Sequence, residues 1–239
     1  MNLRVKFTKE GYLKFISHLD MMRLFDRAFR RGNIPIKYSQ GFNPQPKISI
    51  ANPLALGIES QAEFMDVELN ERMPEKYFID IMNNELPEGI RIIDAKYVDD
   101  NNIVSSAVGW SYYEINVKVY NVEDIDFIKG FIDKWLMNTE ILMERTRIKK
   151  GKEIKDIRNI RPLIGNVTVA EHDKDIRKGT EHELKLYCLL KSGDSGNLKP
   201  TDFLMAFKEY TGLDMDIEMA DIKRLNMYLE VNGEIRSPM

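Results

Sequence analysis

An α+β chain built from two consecutive β-α-β-β-α-β halves is what this amino-acid sequence predicts, and three observations predict it. Short stretches of alternating apolar and charged residues, such as "LRVKFTK" and "YYEINVKVY", carry the period of a half-buried strand. Longer stretches with apolar residues every three or four positions carry the period of a helix. The order of the two patterns over residues 1–98 recurs over residues 110–239, across the Asn/Ser-rich stretch 99–109. This doubled order is the split βαβ pattern. The expectation is two tandem ferredoxin-like domains, each on its own sheet, with 99–109 as the linker between them.

Each element has a local reason. "LRVKFTK" is the first strand by alternation. Ser17 and Asp20 make an S-x-x-D capping box that opens a helix, and Gly32 with Pro35 closes it. "IPIKYS" and "ISIAN" are short strands on either side of a loop, and "AEFMDVELN" is the clearest strand of the first half. Pro74 sits at a first helical turn, and "EKYFIDIMNNEL" has apolar residues at 77, 78, 81, 82 and 86. Leu86-Pro87-Glu88-Gly89 breaks that helix before the strand "IRIIDAKYV". In the second half, 123–137 is an amphipathic helix with Ile125, Ile128, Phe131, Ile132 and Trp135 on one face. "EILMERTRI", "NVTVAEH" and "ELKLYCLLK" are strands, and "KPTDFLMAFKEYTG" is a helix from Pro200 to Gly212. The final segment, around 216–231, favours a closing strand, with helix as the alternative.

Composition narrows the function. At 239 residues and 43% hydrophobic, the chain can bury a real core, and no apolar run approaches a membrane span. The start "MNLRVKFTKE" has no apolar signal core, so a cytoplasmic protein without membrane contact is expected. The single Cys188 forbids an internal disulfide and, on the apolar face of its strand, reads as a buried thiol. Three histidines and one cysteine make no ligand cluster, so no metal site is expected. The formal net charge of -3 hides an asymmetry. Residues 1–47 hold ten Lys/Arg against three acids, and residues 48–98 hold four against ten. A second basic stretch, 145–161, carries eight Lys/Arg and two acids, a composition also common in hairpins that protect a sheet edge. Local basic clusters on an acidic protein point to a polyanionic partner.

The first helix and the loop after it, "YSQGFNPQPK" (38–47), carry the densest chemistry. On a helical wheel Met21, Met22, Leu24, Phe25, Ala28 and Phe29 share one arc, while Arg23, Arg27 and Arg30 form a stripe opposite, with Arg31 beside them. Guanidinium forks suit phosphate, although Asp20 and Asp26 lie at the spacing for intrahelical ion pairs. In the loop, Gly41 frees the backbone, and Pro44 and Pro46 stiffen it. Tyr38 and Phe42 offer flat faces for bases, Gln40, Asn43 and Gln45 offer donors and acceptors, and Lys47 offers a point charge. His18 falls on the apolar arc one residue after the cap, where a buried, hydrogen-bonded role is the default and acid–base chemistry has no partner nearby. It is the sole and weak catalytic candidate.

The stretch "FISHLDMMRLFDRAFRRGNIPIKYSQGFNPQPKISIANPLALGIESQAEFMDVEL" (15–69) resembles the DUF2344 family of radical-SAM-associated proteins. The likeness continues through "DIRNIRPLI" (156–164), "GNLKPTDFL" (196–204) and "NMYLEVNGEIRSPM" (226–239). In that family the loop usually reads Asn-Pro-His-Pro, whereas Gln45 stands here in place of the histidine, which favours hydrogen bonding over acid–base work. The resemblance implies a partner rather than a reaction. One cysteine cannot supply the Cys-x3-Cys-x2-Cys triplet of a radical SAM enzyme, so the iron–sulfur cluster and S-adenosylmethionine would belong to that partner. The tandem ferredoxin-like reading is also similar at fold level to the CRISPR-associated repeat-processing endonucleases.

Together these readings predict an accessory module, not an enzyme by itself, that presents structured RNA to a partner radical SAM enzyme. Arg23, Arg27, Arg30, Arg31 and Lys47 would hold phosphates, Tyr38 and Phe42 would stack, and Gln40, Asn43 and Gln45 would read edges. The rivals are a metal-independent RNA endonuclease using His18 and a protein–protein adaptor that touches no nucleic acid.

Overall fold

The structure, a computed structural model, describes residues 1–99, 103–122, 125–149, 152–170 and 182–239. It is α+β, and its contacts divide the chain into two compact units. One comprises residues 1–111, 192–195 and 223–239, the other residues 112–191 and 196–222.

In the first unit, strand β1 (Asn2–Lys9) leads through a 3-10 turn (Gly11–Phe15) into helix α1 (His18–Arg31). Strands β2 (Ile48–Ile50) and β3 (Glu59–Glu68), helix α2 (Glu75–Glu85) and strand β4 (Ile92–Val98) follow. β1 pairs antiparallel with β3 and with β4, and β2 pairs antiparallel with β3. The inward residues of the alternating strands, Leu3, Val5 and Phe7 from β1 and Met65 and Val67 from β3, meet Phe25 and Phe29 of α1 and Phe78 and Met82 of α2. Phe7 and Phe25 pack edge to face with centroids 5.0 Å apart, a favoured aromatic geometry.

The other face of this sheet is covered too. Ala62 and Phe64 of β3 pack with Val104, Val108, Met227 and Leu229. Alternation therefore does not separate buried from solvated positions here, and a charge on the second face must find a partner. Arg4 is fully buried there and grips Asp66 with both forks, Nε to Oδ1 at 2.8 Å and Nη2 to Oδ2 at 3.1 Å. Asp66 also accepts from the Val104 amide at 2.7 Å, and Arg4 donates to the Pro238 carbonyl at 3.2 Å. The stretch expected as a linker is thus partly built in: Val104–Ala107 is a short helix, α3, with Val104 buried. Residues 100–102 of it lie outside the described residues.

In the second unit, strand β5 (Val108–Tyr120) enters from the first unit and is followed by helix α4 (Ile125–Met137), with 123–124 of the expected helix outside the described residues. Strands β6 (Leu142–Lys149) and β7 (Lys152–Asn159) form a separate two-stranded hairpin, which contains most of the second basic stretch. A 3-10 turn (Arg161–Leu163), strands β8 (Ile164–Val169) and β9 (His182–Lys191), helix α5 (Pro200–Thr211) and strand β10 (Asp214–Val231) complete it. Trp135 of α4 packs on Phe207 and Phe203 of α5 with centroids 5.3 and 5.7 Å away. Gly212 ends α5 at φ 68, the left-handed cap that glycine adopts without cost. The final segment is a strand, so of the two alternatives left by the sequence the helix is excluded.

β10 continues beyond the second unit, and at Lys223 and Arg224 it pairs in parallel with Glu59 and Ser60 of β3. The strands form a large mixed sheet in the order β4-β1-β3-β10-β5-β9-β8, with the short β11 (Glu234–Arg236) on β10. The expected separation into two sheets is corrected by this step. Its cause is the length of β10, because β2 covers only three residues of β3 and leaves the rest of that edge free to pair.

Removing one member of a buried ion pair leaves an uncompensated charge, at a cost of about 3–5 kcal/mol. Asp66→Ala is expected to lower unfolding stability by that amount in urea titration. The double change Arg4→Met/Asp66→Leu should recover most of the loss, since no buried charge is then left unpaired.

Candidate nucleic-acid interface

Helix α1 presents the arginine stripe because its two ends are chemically defined. Ser17 accepts from the Asp20 amide at 3.1 Å and donates to the Asp20 carboxylate at 2.7 Å, which realises the capping box. The Gly32 amide returns to the Ala28 carbonyl at 2.9 Å and closes the last turn. Met21, Phe25, Ala28 and Phe29 are buried, which turns Arg23, Arg27, Arg30 and Arg31 into solvent.

Three of the four arginines have carboxylate partners. Arg23 bonds Asp20 at 3.0 Å, Arg30 bonds Asp26 at 3.2 Å, and Arg31 bonds Glu85 of α2 at 2.8 Å. The Ser17 hydroxyl and then Arg23 hold the Asp20 carboxyl below its usual range. Arg27 makes no ion pair among the described residues. Arg23, Arg27 and Arg31 line one groove of about 410 Å³ with Leu24, Glu85 and Pro87.

The loop is tied to the helix at one point. The Tyr38 hydroxyl donates to Asp26 at 3.1 Å, and the Arg30 guanidinium lies 5.4 Å from the Tyr38 ring centroid. Tyr38 is half-buried against the first core, so its ring braces Arg30 where a free stacking face was expected. Burial, and after it Asp26, pushes the Tyr38 phenol up. The base of the loop is closed by a Tyr38–Pro46 bridge, the Ser39 amide to the Gln45 carbonyl at 2.8 Å, and the Gln45 amide to the Ser39 hydroxyl at 3.0 Å. At the tip Gly41 takes φ 132, a conformation that excludes a side chain on backbone grounds alone. Phe42 beside it is fully exposed, and Gln40, Asn43 and Gln45 are exposed with no side-chain partner among the described residues.

Lys47 falls elsewhere. With Lys37 it brackets Glu68 at 3.4 and 3.2 Å, and the three line a second groove of about 440 Å³ with Ser49 and Asp66. Partial burial pushes the Glu68 carboxyl up, but the hydrogen bonds from Lys37 and Lys47 outweigh it and the net shift is downward. The structure thus joins Arg30, Tyr38 and the loop, gathers Arg23, Arg27 and Arg31 in one groove, and puts Lys47 in another.

Two other expectations about single residues have clear outcomes. His18 is exposed and makes no hydrogen bond among the described residues, contrary to the buried role its wheel position suggested. The burial of α1 begins only at Met21, so its first turn overhangs the core. Cys188 is buried, and burial pushes its thiol strongly up, which keeps it protonated. Among the described residues no three His, Cys, Asp or Glu side chains converge as metal ligands.

Sequence reasoning missed a second charged group in this unit. Arg224 of β10 is buried and bonds Glu63 of β3, Nε to Oε1 at 3.0 Å, and donates to the Asn52 carbonyl at 3.0 Å. Lys9, only 4% exposed, lies near this pair with no hydrogen bond or ion pair of its own among the described residues. Burial pushes the Lys9 ammonium below its ordinary 10.5, Glu63 opposes the shift and Arg224 adds to it. The signal was visible in "LRVKFTK", where Lys9 follows Leu3, Val5 and Phe7 at the inward period. A lysine at that register is out of place on an apolar face.

The fold and these surfaces define an α+β chain with a large mixed sheet, an arginine-lined helix and a stiffened loop. Residues 2–200 match the model of DUF2344, described as an uncharacterized protein conserved in bacteria, and the chain belongs to that family. No curated protein matches it. Among solved structures it is similar to an unknown protein from Galdieria sulphuraria, at 12% identity over 93% of this chain and 97% of that chain, with a TM-score of 0.23.

A carboxyl held below its ordinary 4.5 in the folded state contributes stability above that value and loses it as pH falls through the folded pKa. Wild type is therefore expected to exceed Glu68→Gln in thermal stability at neutral pH, with the gap closing as pH falls below 4.5. A pH series of melting curves checks it.

Proposed function

We infer that the chain is an RNA-binding accessory module that presents structured RNA to a radical SAM enzyme. The observation that carries the RNA-binding part is Arg27. It is a cation without a carboxylate partner among the described residues, set between Arg23 and Arg31 on a helix whose Arg30 is braced by the loop that exposes Phe42. The neighbouring pairs are exchangeable. Exposed ion pairs are worth about 0.2–1 kcal/mol, so a phosphate can take a guanidinium fork from Asp20, Asp26 or Glu85 at small cost. In this reading Arg23, Arg27, Arg30, Arg31 and Lys47 hold phosphates and Phe42 stacks on a base. Gln40, Asn43 and Gln45 bond base or sugar edges, and Tyr38 holds Arg30 in place.

The partner part of the proposal rests on the likeness to radical-SAM-associated chains and on the single cysteine. The partner would supply the iron–sulfur cluster and S-adenosylmethionine, and the pair would act in the cytoplasm. The finer reading of the fold, two ferredoxin-like strand orders in tandem, is supported by the order β4-β1-β3-β2 at one end of the sheet. The matching order β10-β5-β9-β8 at the other end supports it too. A second reading, a protein adaptor, is favoured by the engagement of Arg23, Arg30 and Arg31 with carboxylates and by Phe42 standing alone at the loop tip.

Fluorescence anisotropy with labelled RNA hairpins at several salt concentrations tests the proposal. Binding should weaken linearly in log–log form, with a slope of roughly 0.7–0.9 per phosphate contact. Arg27→Ala should weaken binding to every hairpin and reduce the slope by nearly one contact. Phe42→Ala should cost about 1–3 kcal/mol and leave the slope unchanged. Equal affinity of wild type and Arg27→Ala/Phe42→Ala would end the RNA reading and favour the adaptor. Hairpin cleavage that disappears in His18→Ala would favour the endonuclease.

A further inference from the structure

A small pocket in the first unit, apart from the arginine groove, gathers the charges that the arginine stripe does not use. Its floor is Phe7, Lys9 and Glu63, all buried, and its rim includes Ser17 and the exposed His18 and Pro53. The free space is about 20 Å³, room for one water-sized group, since roughly 10–15 Å³ is enough to hold a water. Around it the charges do not balance. Glu63 is already held by Arg224, and Asp20 is already held by Ser17 and Arg23. Lys9, 4% exposed, lines the pocket with no such partner among the described residues. Glu63 acts on the Lys9 ammonium through space, but no hydrogen bond reaches it among the described residues, so an oxygen in the pocket would supply one.

The second observation is the position of α1. His18 and Leu19 are its first two residues, and their amides have no carbonyl one turn earlier to bond. The positive end of a 14-residue helix thus opens at the rim of a pocket lined by Lys9, a lysine 4% exposed that makes no hydrogen bond or ion pair among the described residues. From these features we propose that the Lys9 pocket is an oxyanion-binding site, which takes one oxygen of a phosphate monoester or carboxylate carried by a larger ligand. That oxygen sits between the Lys9 ammonium and the first turn of α1, and the imidazole of His18 meets the remainder of the anion at the rim. The volume admits a single oxygen, so the body of the ligand stays outside. The site does not depend on RNA binding by the arginine groove.

The test uses the full chain and inorganic phosphate, with acetate as the second arm and chloride at matched ionic strength as the reference. Phosphate should raise the melting temperature saturably, and the rise should be largely lost in Lys9→Met, reduced in His18→Gln and intact in Lys76→Met, a change at an exposed lysine paired with Asp80. Without phosphate, Lys9→Met should melt at or above wild type, because a methionine fills that place without the desolvation that disfavours the ammonium. A rise with phosphate alone assigns the site to phosphate monoesters; an equal rise with acetate assigns it to carboxylates as well. A reading without any variant runs alongside. Phosphate should slow amidination of Lys9, followed by peptide mass spectrometry, and leave the exposed Lys76 unchanged. Neither anion exceeding chloride, or an undiminished rise in folded Lys9→Met, would overturn the proposal. So would amidination of Lys9 at the same rate with and without phosphate.

Discussion

Everything in the first unit is constrained by a sheet that is covered on both faces. A strand with one wet face can leave its alternate residues charged at no cost, as "LRVKFTK" would suggest. Here the second face meets Val104, Val108, Met227 and Leu229, so charges on either face need partners inside the protein. Arg4 finds Asp66, and Arg224 finds Glu63. Each pair also ties down chain that is distant in sequence, Val104 and Pro238 in one case and Asn52 in the other. Such pairs add little net stability over apolar residues of the same volume, yet they are costly to break, so they specify where each segment goes. Lys9, on the same sheet, makes no hydrogen bond or ion pair among the described residues, and such a departure from so strict a constraint is where a ligand is to be sought.

The outer surface follows the opposite rule. Arg23–Asp20 sits in water and Arg30–Asp26 at its edge, with the guanidinium exposed, where screening makes each pair weak and replaceable. The same residue types are therefore structural on the sheet and available on the helix. What fixes the helix surface is geometric: the capping box sets its start, the buried aromatics set its rotation, and Tyr38 holds Arg30 against the loop. Rigid backbone carrying exchangeable side chains suits recognition of a phosphate backbone.

Local chemistry made much of this legible in advance. Ser17 with Asp20, Gly212 and the apolar face around Trp135 announced the helices, because capping and periodicity act within one or two turns. The exposed arginines and Phe42 were readable for the same reason. The pairing of β10 with β3 was not, since it joins residues far apart in sequence and leaves no local trace. Nor were the partners of Arg4 and Arg224, which sit 62 and 161 residues away. His18 and Tyr38 were misjudged because a wheel gives direction and not depth. His18 lies beyond the end of the core, and Tyr38 lies under a guanidinium.

Lys9 is 4% exposed and makes no hydrogen bond or ion pair among the described residues, with Glu63 and Arg224 acting on it in opposite senses. Its protonation can be observed directly by carbon NMR of the full chain labelled at the lysine ε-carbon, with the signal assigned by its loss in Lys9→Met. Glu63 and Arg224 face it across the sheet and His18 stands at the rim, so the midpoint reports their balance. Without ligand the Lys9 ammonium should titrate below 10.5, and the midpoint should move up when phosphate is added. A midpoint at or above 10.5 in the absence of any anion would show a fully partnered lysine and contradict that expectation.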